Sequence, residues 1–221
     1  MTLHPSQGGL YPILDFAWLA RHAPSWLQGD GPERLARKLG ASSISLVQLR
    51  CKGSGLEQYH FMTRWVSALR SAAPTTAIII NDRVDLALAL EADGVHVGQD
   101  DLPVAVCRRL LGRERIIGLS THTLDEVAAA QQSGADYIGF GPIFATHTKA
   151  DALTARGIAA LATACRHTAL PLVAIGGIDL KGLQEVAQTG AWGAALISGW
   201  FKPDGRDALT EAVAAWTMTP S

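Results

Sequence analysis

The chain has 221 residues, and its 19 Lys and Arg against 20 Asp and Glu leave a formal charge of −1. Hydrophobic residues at 48% and charged residues at 18% exclude a largely disordered chain. A chain this neutral has no global pull toward nucleic acid or an anionic membrane, so any anion binding has to be local. In chain order, short apolar runs predict strands at 9–14, 43–50, 77–82, 94–99, 115–120, 136–142, 171–177 and 193–199. Several are apolar without alternation, the pattern of parallel strands buried on both faces. Amphipathic runs predict helices at 56–72, 124–134, 153–168, 180–190 and 207–218, with a further helical stretch at 16–39 broken at Pro24 and at 29–32. Asp125 and Glu126 suit the positive end of a helix dipole, and Gly134 and Gly190 suit left-handed caps. The mean spacing is about 25 residues, near the unit length of a (β/α)8 barrel. No linker or charge run interrupts the order, so residues 1–221 are expected to form one α/β domain, a single TIM barrel. A doubly wound open sheet would bring a GxGxxG turn after the first strand, and none is present.

Cys51, Cys107 and Cys165 make neither a disulfide framework nor a CxxC zinc pair. No run reaches membrane-span length, and MTLHPSQGGLYPILDF lacks the plan of a secretion signal. A soluble protein of the reducing cytoplasm is expected.

Barrel enzymes build their sites from the C-terminal ends of the strands. Those ends carry Gln48, Arg50 and Lys52; then Asn81 and Asp82; then Gln99, Asp100 and Asp101; then Ser120 and His122. The sixth strand leads to Thr146, Thr148 and Lys149, the seventh to Gly176 and Gly177, and the eighth to Ile197, Ser198 and Gly199. Arg50 and Lys52 alternate with Leu49 and Cys51, so the two cations share a face and, with Lys149, suit a polyanion such as a diphosphate. Asp82 and one of Asp100 and Asp101 suit Mg²⁺, which takes one or two carboxylates and completes its shell with water and phosphate oxygens. The same aspartates also suit helix N-caps, before RVDLALAL and before Pro103. The glycine pair after strand seven and Ser198-Gly199 stand where barrels often bind phosphate through backbone N–H groups. Two anion stations are thus expected, one made of side chains and metal, the other of backbone. His96 reads as a satisfied strand histidine and His122 as a loop cap. Cys107, Cys165 and the six Trp read as packing residues.

The segments VQLRCK (47–52), INDRVDLAL (80–88), GVHVGQDDLP (94–103), IGLSTHT (117–123), ADYIGFGPIFATHTK (135–149), AIGGI (174–178) and LIS (196–198) together resemble the thiamine-phosphate synthase family in order and spacing. The resemblance implies a (β/α)8 barrel that joins a pyrimidine methyl diphosphate to the nitrogen of a thiazole phosphate. It implies that Gln48, Leu49, Arg50, Cys51, Lys52, Asn81, Ser120 and Lys149 hold the pyrimidine diphosphate, with Arg50, Lys52, Ser120 and Lys149 catalytic. It places Mg²⁺ on Asp82 and Asp101. It assigns Thr146, His147, Thr148, Gly177, Ile197 and Ser198 to the thiazole phosphate. Cys51 departs from the acidic residue common between the two cations. Gly199-Trp200 departs from smaller aliphatic residues, so Trp200 is expected to reshape the thiazole end, and 150–156 is expected to form a lid.

Three other readings compete. A thiazole tautomerase-like barrel would lack the diphosphate equipment that Arg50, Lys52, Asp101 and 146–149 supply. A phosphate-handling isomerase or aldolase would need a carboxylate base or a buried strand Lys, and no such Lys is evident. A non-catalytic barrel that binds thiazole phosphate or a partner protein would be separated from the enzyme by titrating pyrimidine diphosphate with and without Mg²⁺.

Overall fold

The apolar runs pair side by side in chain order, each parallel to the one before it, and the last closes on the first. In the computed structural model, which describes residues 8–42, 44–52, 55–146, 154–202 and 204–217, they form β1 (Gly9–Asp15), β2 (Leu46–Arg50), β3 (Ala77–Asn81), β4 (Gly94–Val97), β5 (Ile116–Thr121), β6 (Tyr137–Phe140), β7 (Leu172–Ile175) and β8 (Gly193–Leu196). Ile13 pairs with Gln48 on one side of β1, and Tyr11 with Ala195 on the other. The expected single (β/α)8 barrel is the fold observed.

Nine α-helices surround it among the described residues: α1 (Phe16–His22), α2 (Gly31–Ala41), α3 (Leu56–Ala72), α4 (Val84–Ala89), α5 (Val104–Leu111), α6 (Leu124–Ala130), α7 (Gly157–Arg166), α8 (Leu180–Ala187) and α9 (Leu209–Thr217). The broken stretch at 16–39 resolves into α1, a 3-10 turn at Pro24–Trp26 and α2, which starts with Pro32 in its first turn. Pro lacks an N–H, and only the first turn of a helix has no use for one. Helices α4 and α5 span six and eight residues, too short for periodicity to announce them. Helix α7 starts at Gly157 rather than 153. Gly134 and Gly190 both hold φ +85°.

Two packed layers fix the barrel. Residues facing the helices, such as Leu14, Leu49, Ile80, Val95 and Ile138, are fully buried against them. Residues facing inward, including Leu46, Ile79, Ile116, Val173 and Ala195, fill the barrel floor. Full burial of each large aliphatic side chain contributes about 1.5–3 kcal/mol. The plugged floor leaves the C-terminal mouth as the open end. Trp26, Trp65 and Trp200 are buried, as expected of packing residues. No helix among the described residues is long and apolar enough to cross a membrane.

Candidate active site

Strand alternation sorts the 48–52 segment. Gln48, Arg50 and Lys52 line a cavity of about 980 Å³ inside the barrel mouth. Leu49 is fully buried on the helix side, and Cys51 packs against that same core. Neither side chain lines the cavity: both belong to the barrel wall, which leaves any contact of these two residues with substrate to their backbone.

Arg50 does not stand alone. Its Nη1 pairs with Asp15 Oδ2. Asp15 is 3% exposed and also caps α1, its Oδ1 accepting from the Trp18 N–H at 3.0 Å. An almost fully buried carboxylate needs such partners. The sequence reading named Arg50 and missed Asp15. The available signal was an Asp ending an apolar run just before a helical one, the pattern that singled out Asp82.

Asp82 and Asp101 line the same cavity, and neither is a helix cap. The N-cap position of α4 is Arg83, and that of α5 is Pro103. Asp82 holds φ +62°, a conformation non-glycine residues seldom adopt and one that often marks a functional site. Its carboxylate meets Lys52 Nζ at 3.1 Å. Asp101 Oδ2 accepts from the Gly98 N–H at 2.7 Å and keeps its other oxygen for a further partner. Two carboxylates released from capping and facing one cavity form the donor set a Mg²⁺ ion takes. Among the described residues no group of three or more His, Cys, Asp or Glu gathers as a zinc site would require.

Asn81 and Ser120 also line the inner cavity. Ser120 Oγ lies 2.9 Å from His96 Nε2, so His96 is satisfied, as expected. His122 is likewise engaged, its Nδ1 2.7 Å from the Gly141 carbonyl. Arg156 lines the cavity as well, and its buried Nε has no hydrogen-bond partner. It is the last residue of the segment expected to form a lid, but no motif singled out its side chain, since it enters from the loop before α7 and not from a strand end.

A second cavity, of about 790 Å³, adjoins β7 and β8. Thr146, Gly177 and Ser198 line it, whereas Ile197, one residue earlier, faces the inner cavity. The glycine pair is obligatory in this backbone. Gly176 and Gly177 hold φ +99° and +66°, and a Cβ on Gly177 would lie 2.5 Å from the Ala145 carbonyl oxygen. Lys181 and Lys202 line the rim, and Arg21 lines both cavities. Trp200 is fully buried and packs at a tilt against Phe201, ring centroids 4.1 Å apart, and Phe201 does the lining. Trp200 thus bears on the thiazole end through Phe201 and not by lining the cavity itself. His147, Thr148 and Lys149, with most of the expected lid, lie outside the described residues.

The model of the thiamine monophosphate synthase family, TMP-TENI, matches residues 23–200. A thiamine-phosphate synthase of Syntrophomonas wolfei is 45% identical over 175 residues, which cover 79% of this chain and 83% of that relative. One from Synechococcus sp. (strain CC9311) is 46% identical over 169 residues, 75% of this chain but 47% of the relative, so the match spans about half of that longer protein. The solved thiamine phosphate pyrophosphorylase from Pyrococcus furiosus superposes with a TM-score of 0.76 at 30% identity, covering 96% of this chain and 95% of that one.

Proposed function

We infer that this chain, which belongs to the thiamine monophosphate synthase family and is a transferase of that kind, condenses 4-amino-2-methyl-5-(diphosphooxymethyl)pyrimidine with 4-methyl-5-(2-phosphoethyl)thiazole. The products are thiamine phosphate and diphosphate. The observation that carries this reading is the pair of adjoining cavities. One is lined by cations and by Asp82, Asp100 and Asp101, the other by glycine backbone, Ser198, Lys181 and Lys202, with Arg21 on both.

In the inner cavity Arg50 and Lys52 hold the diphosphate and offset the charge that grows as it leaves, a role the family resemblance also gives to Lys149. Asp82 and Asp101 would hold Mg²⁺, which when bound neutralises the departing diphosphate. Gln48, Asn81 and Ser120 orient the pyrimidine. The C–O bond of the methylene breaks with its electron pair going to diphosphate. The electron-rich aminopyrimidine supports the resulting cationic methylene, and the lone pair of the thiazole nitrogen forms the C–N bond of the thiazolium. Gly177, Ser198 and the 146–148 segment hold the thiazole phosphate, so that its nitrogen lies in line. Positioning of this kind supplies much of the rate. No proton moves to or from carbon, so the reaction asks for no general base and no side-chain nucleophile. The retained Arg50, Lys52, Asp82 and Asp101 favour this reading over a tautomerase-like barrel or a non-catalytic binder. Three free thiols suit a reducing, cytoplasmic setting.

The direct test is formation of thiamine phosphate from the two purified substrates, with Mg²⁺ and then with EDTA. Product that disappears with EDTA supports the reading. Absence of product from folded protein would overturn it, and product that persists in EDTA would remove the metal.

A further inference from the structure

A series of polar side chains crosses the barrel at the base of the inner cavity, which all five of its residues line. Gln48 Nε2 donates to Tyr11 Oη at 3.0 Å. Tyr11 Oη lies 2.9 Å from Tyr137 Oη, and Tyr137 Oη lies 2.9 Å from His96 Nδ1. His96 Nε2 then lies 2.9 Å from Ser120 Oγ.

Donor chemistry gives the series one direction. An amide nitrogen only donates, so Tyr11 Oη accepts at the Gln48 end. The Tyr11 proton goes to Tyr137, and the Tyr137 proton goes to His96 Nδ1. That nitrogen is therefore the bare one, and the ring proton sits on Nε2, donated to Ser120 Oγ. Ser120 accepts from the barrel interior and keeps its own proton to donate elsewhere. At the opposite end, Gln48 has committed Nε2 inward and keeps Oε1 as an acceptor. Both residues line the inner cavity. Burial raises the pKa of both phenols, so each retains the proton the series needs. A proton on Nδ1 would instead leave one phenol hydrogen without an acceptor in this series, a costly state at full burial.

The barrel reserves room for this contact. A Cβ on Gly118 would lie 2.2 Å from Tyr137 Cζ and 2.4 Å from His96 Nδ1. Only glycine at 118 lets the imidazole and the phenol meet.

We infer that Tyr137 and His96 are positioning residues that fix the Ser120 hydroxyl as a hydrogen-bond donor to the pyrimidine substrate, with Gln48 left as an acceptor. The pattern complements an aminopyrimidine, whose amine donates and whose ring nitrogens accept. The role of the series rests on Ser120 touching the pyrimidine as proposed above.

Two measurements test it. Long-range proton–nitrogen NMR of the unsubstituted protein, with a His96→Gln sample to assign the ring, reads the tautomer directly. The Nε2–H form is expected, and a proton on Nδ1 would overturn the assignment. The second is a double-mutant cycle of Tyr137→Phe with Ser120→Ala, followed by kcat/KM for the pyrimidine diphosphate. Tyr137→Phe should cost about tenfold when Ser120 is present and less than about twofold in its absence, because the two act as one unit. The KM for thiazole phosphate should hold steady throughout. Equal losses in both backgrounds would show that the series does not work through Ser120, whatever the standing of Ser120 itself. A Ser120→Ala enzyme with unchanged turnover would instead remove Ser120 from the substrate, and the role of the series with it.

Discussion

The inner and outer cavities receive anions with different materials. The inner one is side-chain chemistry: Arg50 tied to Asp15, Lys52 tied to Asp82, and carboxylates freed from capping. The outer one centres on backbone, a glycine turn in left-handed φ beside Ser198, with Arg21, Lys181 and Lys202 around it. Side chains supply full charges, so the inner cavity can bind and stabilise a multiply charged leaving group. Backbone N–H groups supply partial charge at fixed positions, which suits holding a phosphate that stays attached throughout. The two can be broken in opposite ways, the inner by removing atoms and the outer by adding them.

Removing atoms should have the larger effects. Asp101→Ala is expected to lower Mg²⁺-dependent turnover about 10³-fold, since metal assistance contributes several kcal/mol to such a transition state. A Mg²⁺ titration of initial rates checks this, and full activity would take Asp101 out of the site. Arg50→Ala is expected to raise the KM for pyrimidine diphosphate about 100-fold, as loss of one partner of a buried charge pair does. The thiazole phosphate KM should stay within about twofold. The same change strands the carboxylate of Asp15, which is 4% exposed as a side chain. Stability should drop by about 3 kcal/mol, a fall in Tm of roughly 6–12 °C for a chain of this size. Equal loss for both substrates would trace the defect to folding and not to the inner cavity. Adding an atom, by contrast, should act on the other substrate. Gly177→Ala meets the Ala145 carbonyl at 2.5 Å and disfavoured φ. It should raise the thiazole phosphate KM about tenfold, a strain of the order left-handed φ imposes, with the pyrimidine KM little changed. A larger effect on the pyrimidine would merge the two stations into one.

The same contrast explains what the sequence made legible. The barrel was readable because its eight apolar runs recur at even spacing. The inner station was readable because alternation puts every second residue at a strand end into the mouth, so Gln48, Arg50 and Lys52 declare themselves together. Asp15 was readable as an Asp at a strand end but its partner was not, because pairing across β1 and β2 depends on register, and a local pattern cannot show that Asp15 lies opposite Arg50. Tyr11 and Tyr137 were hidden for the same reason. They stand 126 positions apart, and only closure of the barrel brings their hydroxyls to 2.9 Å. Arg156 was hidden because it comes from a loop, where no period fixes which residue points inward. Trp200 acts at one remove, which a local pattern cannot show: the turn after β8 buries it and presents Phe201 to the cavity.

The smallest expected effect is the sharpest test of the alternation that defines the inner station. Cys51 stands between the two cations in sequence but packs into the barrel wall in space. Cys51→Ser should therefore leave both KM values and kcat within about twofold, with a stability cost of about 1–2 kcal/mol for placing a hydroxyl against apolar neighbours. Burial first, and the Asp15 carboxylate second, push its thiol above the ordinary range. A raised thiol pKa keeps the neutral form to higher pH, so the alkylation rate of Cys51 should reach half its maximum at a higher pH in the folded protein than in the denatured chain. Iodoacetamide labelling across pH, read by peptide mass, checks the direction. A thiolate that forms at lower pH than in the denatured chain would place Cys51 beside the cations in the cavity, and the inner station would then be a continuous loop surface instead of one face of a strand.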